Sequence, residues 1–364
     1  MTASEVTGPA ARQHLSRLRL VAQGLAPVTP ATPADVVRRL TCVQAQDFRS
    51  ARSAVALRAG SSVADVDVAI NAGEIVRSWP MRGTLHLVEA AQLRGMLALN
   101  AERTLRAARR RHEQLGIGPR DVQRARTVTT EALCGGHAMT RSELFTLWEQ
   151  HGIGTGAQRG AHLAQSLCLR GHLVLGPVVG RQQRFVLFDE WVKESRPVDR
   201  AANIADWALC YFRSHGPATI ADFRWWSGLL HRDLAPVWDT VRVRLDELVV
   251  GGTSYFLAPE TLARWADSRH ATLETLLTPA FDEILLGYAD RTPTLRREHA
   301  DLVVPGGNGM FKATVIDGGR AVATWRRGTR KNGPAIEVSS FDRELSKRAE
   351  RAVLRLAARY PFPS

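Results

Sequence analysis

Apolar positions along the chain follow two rhythms, and the pair recurs three times. A stretch of helical spacing is followed by a period-2 run, a glycine-containing turn and a second period-2 run. In the first stretch, Thr32-Pro33-Ala34-Asp35 is a helix start with proline at the first helical position, and Val36, Leu40 and Val43 recur at helical spacing. The segment 63-VADVDVAI-70 reads as a further helix, and 74-EIVRSW-79 with 83-GTLHLV-88 as a hairpin around Pro80. In the second, Thr140 and Glu143 form a capping box ahead of 144-LFTLWEQHG-152, and 160-GAHLAQSLCLRG-171 gives the next helix. Strand, wing and strand follow in 172-HLVLG-176, 177-PVVG-180 and 184-RFVLF-188. In the third, Thr219 and Asp222 open a helix through 223-FRWWSGLL-230, Val237, Val241 and Leu245 mark another, and 247-ELVVGGTSYFLA-258 makes a hairpin. This order of elements is that of a winged helix.

Between the first two units runs 101-AERTLRAARRRHEQLG-116, a basic helix whose charges suit phosphate contact or a solvated face. Beyond residue 270 the pattern changes to short strands and turns, then to an amphipathic helix, 343-RELSKRAERAVLRLAARY-360. The expected architecture is therefore α+β: three tandem winged-helix units plus a C-terminal β-rich domain closed by a helix. The boundaries fall at 1–118, where the first unit carries an N-terminal helix and the basic connecting helix, then 119–197, 198–270 and 271–364.

Composition narrows the class. With 364 residues and 45% apolar content the chain can build real cores, and no apolar run approaches the roughly 18 residues of a membrane helix. The N-terminus MTASEVTGPAARQHL lacks the order of a signal peptide, so a cytoplasmic, nucleoid-associated location is expected, and the chain is expected to act as a monomer. Cys42, Cys134, Cys168 and Cys210 are far apart, and the spacing of His162, Cys168 and His172 fits no ligand pattern, so no metal and no cofactor are expected. The net charge of +13 is the footprint of a nucleic-acid binder, although arginine excess also follows from a GC-rich genome.

The stretch 41-TCVQAQDFRS-50 places Gln44 and Gln46 one small residue apart. On a helix they would point about 200° apart, whereas in an extended segment they share a side. Either they act together on one ligand, or one caps backbone groups while the other is solvated. Asp47 is a candidate general base or the cap of the next helix.

Four segments in order, VQAQD at 43–47, 77-RSWPMRGTLHLV-88, 281-FDEILLGYADR-291, and 308-NGMFKATVIDG-318 with 323-ATWRR-327, resemble the winged-helix DNA glycosylases of the AlkZ and YcaQ family over nearly the whole chain. Gln-apolar-Gln is the form of the AlkZ-like branch, and YcaQ-like members carry Gln-apolar-Asp. The resemblance implies duplex DNA as partner, excision of N7-alkylated purines and unhooking of interstrand crosslinks, with a role in repair and in self-resistance to an alkylating antibiotic. It also implies Gln44 and Gln46 as the catalytic pair. An N7-alkylated purine is cationic and leaves without being protonated, so two amide carbonyls can stabilise the developing oxocarbenium ion and hold the water where an ordinary glycosidase needs two acids. Both amides must reach one site, so the helix from Thr32 is expected to end near Val43 and leave residues 44–46 irregular or extended.

Around this pair, Arg82 in the first wing is a candidate phosphate or minor-groove contact, and strand alternation puts Thr84 and His86 on the polar side, where His86 either approaches DNA or is a satisfied structural histidine. Asn308 in a tight turn, with Lys312, Arg326 and Arg327 nearby in sequence, suits insertion into a groove. Lys312 reads as a phosphate contact in preference to a Schiff-base nucleophile, which makes the enzyme monofunctional. No cluster of aromatics stands out in the sequence, which favours reaction on a base still in or near the stack. The competing reading is a winged-helix transcription regulator, for which the glutamine pair has no role. A nuclease would need clustered acids, for which Asp282, Glu283 and Asp290 are the candidates. If arginines meeting phosphates supply the affinity, log K for undamaged duplex falls steeply and linearly with log salt in a titration between about 50 and 200 mM. Salt-independent binding would remove nucleic acid from the account.

Overall fold

The computed structural model describes residues 8–180, 182–193, 199–328, 335–342 and 344–362. Packing divides the chain into two compact units, one joining Met1–Val63 to Ile204–Pro363 and the other formed by Ala64–Asn203. The four consecutive blocks expected from the sequence are thus not the packing units. The first is cut at Val63 because the N-terminal helices bury their apolar faces with late segments: Leu20 and Leu25 share a core with Phe281, Ile284, Leu285 and Phe311.

In the smaller unit two hairpins meet edge to edge. Strand Ile75–Met81 pairs antiparallel with Thr84–Glu89, and Leu173–Val179 with Gln182–Leu187, with Arg77 opposite Leu175 joining them. Register slips between Ser78 and Met81 and between Leu175 and Val178, where Pro80 and Pro177 have no N–H to donate to a ladder. The first turn carries positive φ at both central residues, Arg82 at 51° and Gly83 at 68°, as a two-residue hairpin loop with right-handed twist requires. Helices Pro119–Leu133, Arg141–Gln150 and Arg159–Leu169 bury Leu133, Leu144, Trp148, Leu163 and Leu167 against Phe185. The capping box read from Thr140 and Glu143 is formed, with Glu143 N–H on the Thr140 hydroxyl at 3.2 Å and Thr140 N–H on the Glu143 carboxylate at 2.7 Å. The basic stretch 101–116 lies mostly within one helix, Ala90–Gln114, where Arg106 and Arg109 pair with Glu102 and Glu113 one turn away.

The larger unit holds helices Pro9–Ala22, Pro33–Leu40 and Phe48–Ala59, then Ile220–Ser227 behind its own capping box of Thr219 and Asp222, and the hairpin Asp246–Val250 with Thr253–Leu257. A four-stranded antiparallel sheet follows, in the order Ile336–Ser340, Arg320–Arg327, Thr314–Asp317, Thr275–Thr278. Helix Lys347–Arg359 closes it, burying Val353 and Ala357 with Leu277, Val315 and Trp325. The β-rich end closed by a helix is seen, and the fold is α+β.

At the centre of this unit lies an ion pair. Arg58, on helix Phe48–Ala59, and Asp282 are each almost wholly buried and meet through two parallel bonds of 2.8 Å. All five guanidinium N–H groups are used, the other three on the Ala54 carbonyl at 3.2 Å and on the Gln23 carbonyl and side-chain oxygens at 3.2 and 2.7 Å. Burial works against the guanidinium charge, but the Asp282 carboxylate outweighs it and raises the Arg58 pKa. Breaking such a pair strands a charge in the interior, so Asp282→Asn is expected to lower stability by about 3–5 kcal/mol, read as a fall in the urea midpoint without a change in slope. An unchanged midpoint would mean that Arg58 finds water when its partner is lost.

Candidate active site

The helix begun at Thr32 has its hydroxyl on the Asp35 N–H at 3.1 Å, as the Thr-Pro start requires, and stops at Leu40, earlier than Val43. Thr41 then takes φ 70° and ψ −48°, close to a strained γ-turn that a β-branched residue rarely enters. Cys42–Gln44 follows as a strand. Every residue from Thr41 to Ala45 is buried, so Val43 continues the apolar spacing without continuing the helix. The segment is extended through Gln44 and bends at Gln46. The two glutamines consequently differ: Gln44 is 6% exposed, while Gln46 is open to solvent. Gln44 Oε1 accepts the Gln46 N–H at 3.2 Å, which fixes the direction of its amide and leaves the second lone pair of that oxygen.

Gln44 is also held from behind. Its backbone N–H donates to Glu283 Oε1 at 3.3 Å, and Glu283 Oε2 receives the Trp226 indole N–H at 3.0 Å and faces His215 Nε2 at 3.3 Å. Glu283 is 1% exposed. It follows Asp282 directly, so two adjacent acids hold the chain on both sides of the glutamines, Asp282 through Arg58 and Glu283 through Gln44. Phe281, just before them, has φ 59°, like Thr41 a positive value at a non-glycine residue. Asp282 and Glu283 are therefore engaged in these contacts and are not available as a nuclease's metal ligands. Asp290, the third acid, is exposed and accepts the Thr292 N–H. Among the described residues no three of His, Cys, Asp and Glu come together as a metal set.

From the sequence, Asp282 and Glu283 stand out only as candidate acids of a nuclease, and His215 and Trp226 have no role. The signal was present in 281-FDEILLGY-288, where two acids sit inside an apolar run that leaves no solvent for them.

Asp47 caps helix Phe48–Ala59. Its Oδ1 accepts the Arg49 and Ser50 N–H groups at 3.1 and 3.3 Å, and its Oδ2 the Ser50 hydroxyl at 2.8 Å. Beside it opens a groove of about 480 Å³ that brings together Lys312, Arg326 and Arg327 with the rings of Trp325, Tyr360 and Phe362. Trp325 and Tyr360 meet edge to face at 4.8 Å, and the Arg327 guanidinium lies 4.9 Å above Phe362. This aromatic cluster is absent from any one stretch of sequence because its members come from a strand and from the chain end after the last helix.

Lys312, Arg326 and Arg327 are exposed, with Arg326 held by Glu337 at 2.9 Å. Asn308 is exposed in a turn where its own side chain accepts the Met310 N–H. In the smaller unit Arg82 is half-buried at its hairpin tip, and the Thr84 hydroxyl is turned inward. His86 corrects the expectation from alternation. Its ring is fully buried with Nδ1 2.9 Å from the Thr84 carbonyl, since strand Thr84–Glu89 is covered on both faces from Leu85 to Val88 and its period-2 pattern marks no open side.

An α+β chain that presents a polar amide pair, anchored by a buried carboxyl and flanked by a basic groove, fits an enzyme of nucleic acids. Residues 37–361 match the family described as DNA glycosylase AlkZ-like, and the chain belongs to that family: it is a DNA glycosylase, a hydrolase of N-glycosyl bonds. It is 28% identical over 326 residues to an interstrand DNA cross-link repair glycosylase of Streptomyces sahachiroi, covering 84% of this chain and 85% of that one. Its fold matches the structure of the Streptomyces sahachiroi DNA glycosylase AlkZ with a TM-score of 0.79 at 24% identity, over 98% of this chain and 97% of the other.

Gly287 leaves room for the anchor. A Cβ there would lie 2.5 Å from His215 Cδ2 and 2.6 Å from the Glu283 carbonyl oxygen. Gly287→Ala is expected to destabilise the fold by about 1–3 kcal/mol and to lower excision with little effect on DNA affinity. A wild-type urea midpoint and excision rate together would show that the contact relaxes freely.

Proposed function

We propose that this chain is a monofunctional DNA glycosylase that acts as a monomer on duplex DNA and hydrolyses the N-glycosidic bond of N7-alkylated purines. Purines joined in an interstrand crosslink are included. The product is an abasic site, and the biological setting is DNA repair and self-resistance to an alkylating antibiotic. The observation that carries this reading is the held geometry of Gln44: backbone on Glu283, amide oxygen turned toward the Gln46 N–H, and Gln46 alongside in solvent. A residue that merely filled space would need none of these constraints. The cross-link repair function named for the Streptomyces relative supports it as well.

The chemistry asked of the pair is modest. N7 alkylation makes the base a cation, so departure needs no general acid, and what remains is a sugar gaining positive charge and a water to capture it. Carbonyl dipoles in a fixed frame stabilise that charge without reorganising, and an amide accepts a hydrogen bond from the water. Asp47, committed to three donors at its helix start, is left as a cap. Arg82, Asn308, Lys312, Arg326 and Arg327 serve as phosphate or groove contacts, while His86 and the Thr84 hydroxyl lie inside and do not. The three helix-and-hairpin repeats are winged-helix units in this reading, supported by the formed capping boxes and the three two-stranded hairpins.

Release of radiolabelled 7-methylguanine from methylated duplex tests the proposal. Gln44→Ala and Gln46→Ala should each depress single-turnover excision about 10²-fold while DNA affinity holds, and Gln46→Glu should retain activity with an altered pH profile. Gln44→Ala also loses a partly buried hydrogen bond, at about 1 kcal/mol, so its fold is checked by urea titration. If both alanine variants excise at the wild-type rate, the pair is structural and the reacting groups lie elsewhere.

A further inference from the structure

We infer that Glu283 and His215 form a proton-holding dyad that positions Gln44 for excision, acting through Gln44 without touching DNA. The inference rests on the reading of Gln44 as catalytic.

The direction of each proton follows from what the atoms can donate. Ser214 Oγ lies 2.7 Å from the Cys210 carbonyl oxygen and 2.8 Å from His215 Nδ1. A carbonyl donates nothing, so the serine proton points to Cys210, and Ser214 must accept from His215 Nδ1–H. The other ring nitrogen, Nε2, faces Glu283 Oε2 at 3.3 Å, a distance at which two bare lone pairs repel; a proton is therefore held between them. The Trp226 indole N–H reaches the same oxygen. With Oε2 fixed by two side chains, Oε1 is left for the backbone N–H of Gln44.

The histidine has little freedom to move. Tyr211 stacks on it at 4.6 Å with planes 10° apart, Trp226 lies 5.3 Å away at 50°, and the backbone at Gly287 comes close enough that an added Cβ would lie 2.5 Å from Cδ2. The charges nearby are already matched, Asp282 by Arg58 and Asp222 by Arg19 at 3.8 Å, and burial raises the hydroxyl pKa values of Tyr211 and Tyr288 and keeps both neutral. Arg58, whose pKa Glu283 also helps to raise, is committed to Asp282, while the Trp226 indole N–H and the His215 imidazole meet Glu283 at Oε2. For stability alone a buried carboxyl of this kind is a poor choice, because an apolar side chain of the same volume avoids its desolvation. Its placement makes sense if the position of Gln44 is what it secures, since a displacement of about 1 Å in a catalytic group costs on the order of 10²-fold in rate.

Glu283→Gln is the direct test, because an amide that offers its oxygen to Gln44 turns an N–H toward the Trp226 N–H. Single-turnover excision and DNA affinity are measured for Glu283→Gln, Gln44→Ala and the double variant. The expected result is a fall of about 10- to 10²-fold for Glu283→Gln at unchanged affinity, with no further loss when it is added to Gln44→Ala. Multiplicative losses in the double variant, or a wild-type rate for Glu283→Gln, would overturn the dyad. A wild-type rate for Gln44→Ala would overturn the catalytic reading instead, and the two failures are told apart by that single variant. Should Glu283→Gln not fold, Ser214→Ala removes the acceptor of His215 Nδ1–H together with the serine's own bond to the Cys210 carbonyl. It is expected to slow excision several-fold with the same lack of additivity, and a wild-type rate there rejects the proposal.

Discussion

The Arg58–Asp282 pair is the interaction on which the arrangement of the larger unit depends. A guanidinium and a carboxylate this deeply buried are tolerable only when every donor is satisfied, and here the five N–H groups of Arg58 reach a helix carbonyl, both oxygens of Asp282 and two oxygens of Gln23. One contact therefore fastens the N-terminal helix, the helix after the glutamines and the late segment 281–286 to each other. Because Glu283 is the next residue, the pair also sets where the anchor of Gln44 stands. Backbone conformations that cost of order 1–3 kcal/mol each, at Thr41 and Phe281, persist within this frame on either side of the Gln44–Glu283 contact.

Affinity and chemistry are assigned to different kinds of residue. The net charge of +13 and the exposed Lys312, Arg326 and Arg327 are suited to phosphates and carry no information about a lesion. The groups proposed to face the reacting sugar are neutral amides, whose effect relies on orientation and not on charge. Orientation is where burial matters, and the carboxyl behind Gln44 is shielded from the solvent that would screen and loosen it.

Local signals were legible where the physics is local. Thr32, Thr140 and Thr219 cap helices as their spacing to Asp35, Glu143 and Asp222 requires, the hairpins fall between their turn residues, and Gln44 lies in an extended segment. Periodicity failed where burial is two-sided. Val43 looked helical because a strand covered on both faces also shows an apolar residue at that spacing, and His86 looked exposed because alternation assumes one open face.

The sequence by itself determined the helices and hairpins, the basic charge and the two-amide motif, since caps, turns and net charge depend on residues a few positions apart. Only the tertiary structure decided how the chain is divided, because Leu20 and Leu25 find their apolar partners beyond residue 280. It likewise decided what holds Gln44. Glu283 is 239 residues away in the chain and His215 is 68 residues from Glu283, and a buried carboxyl declares its partners only when folding has removed the water that would otherwise solvate it.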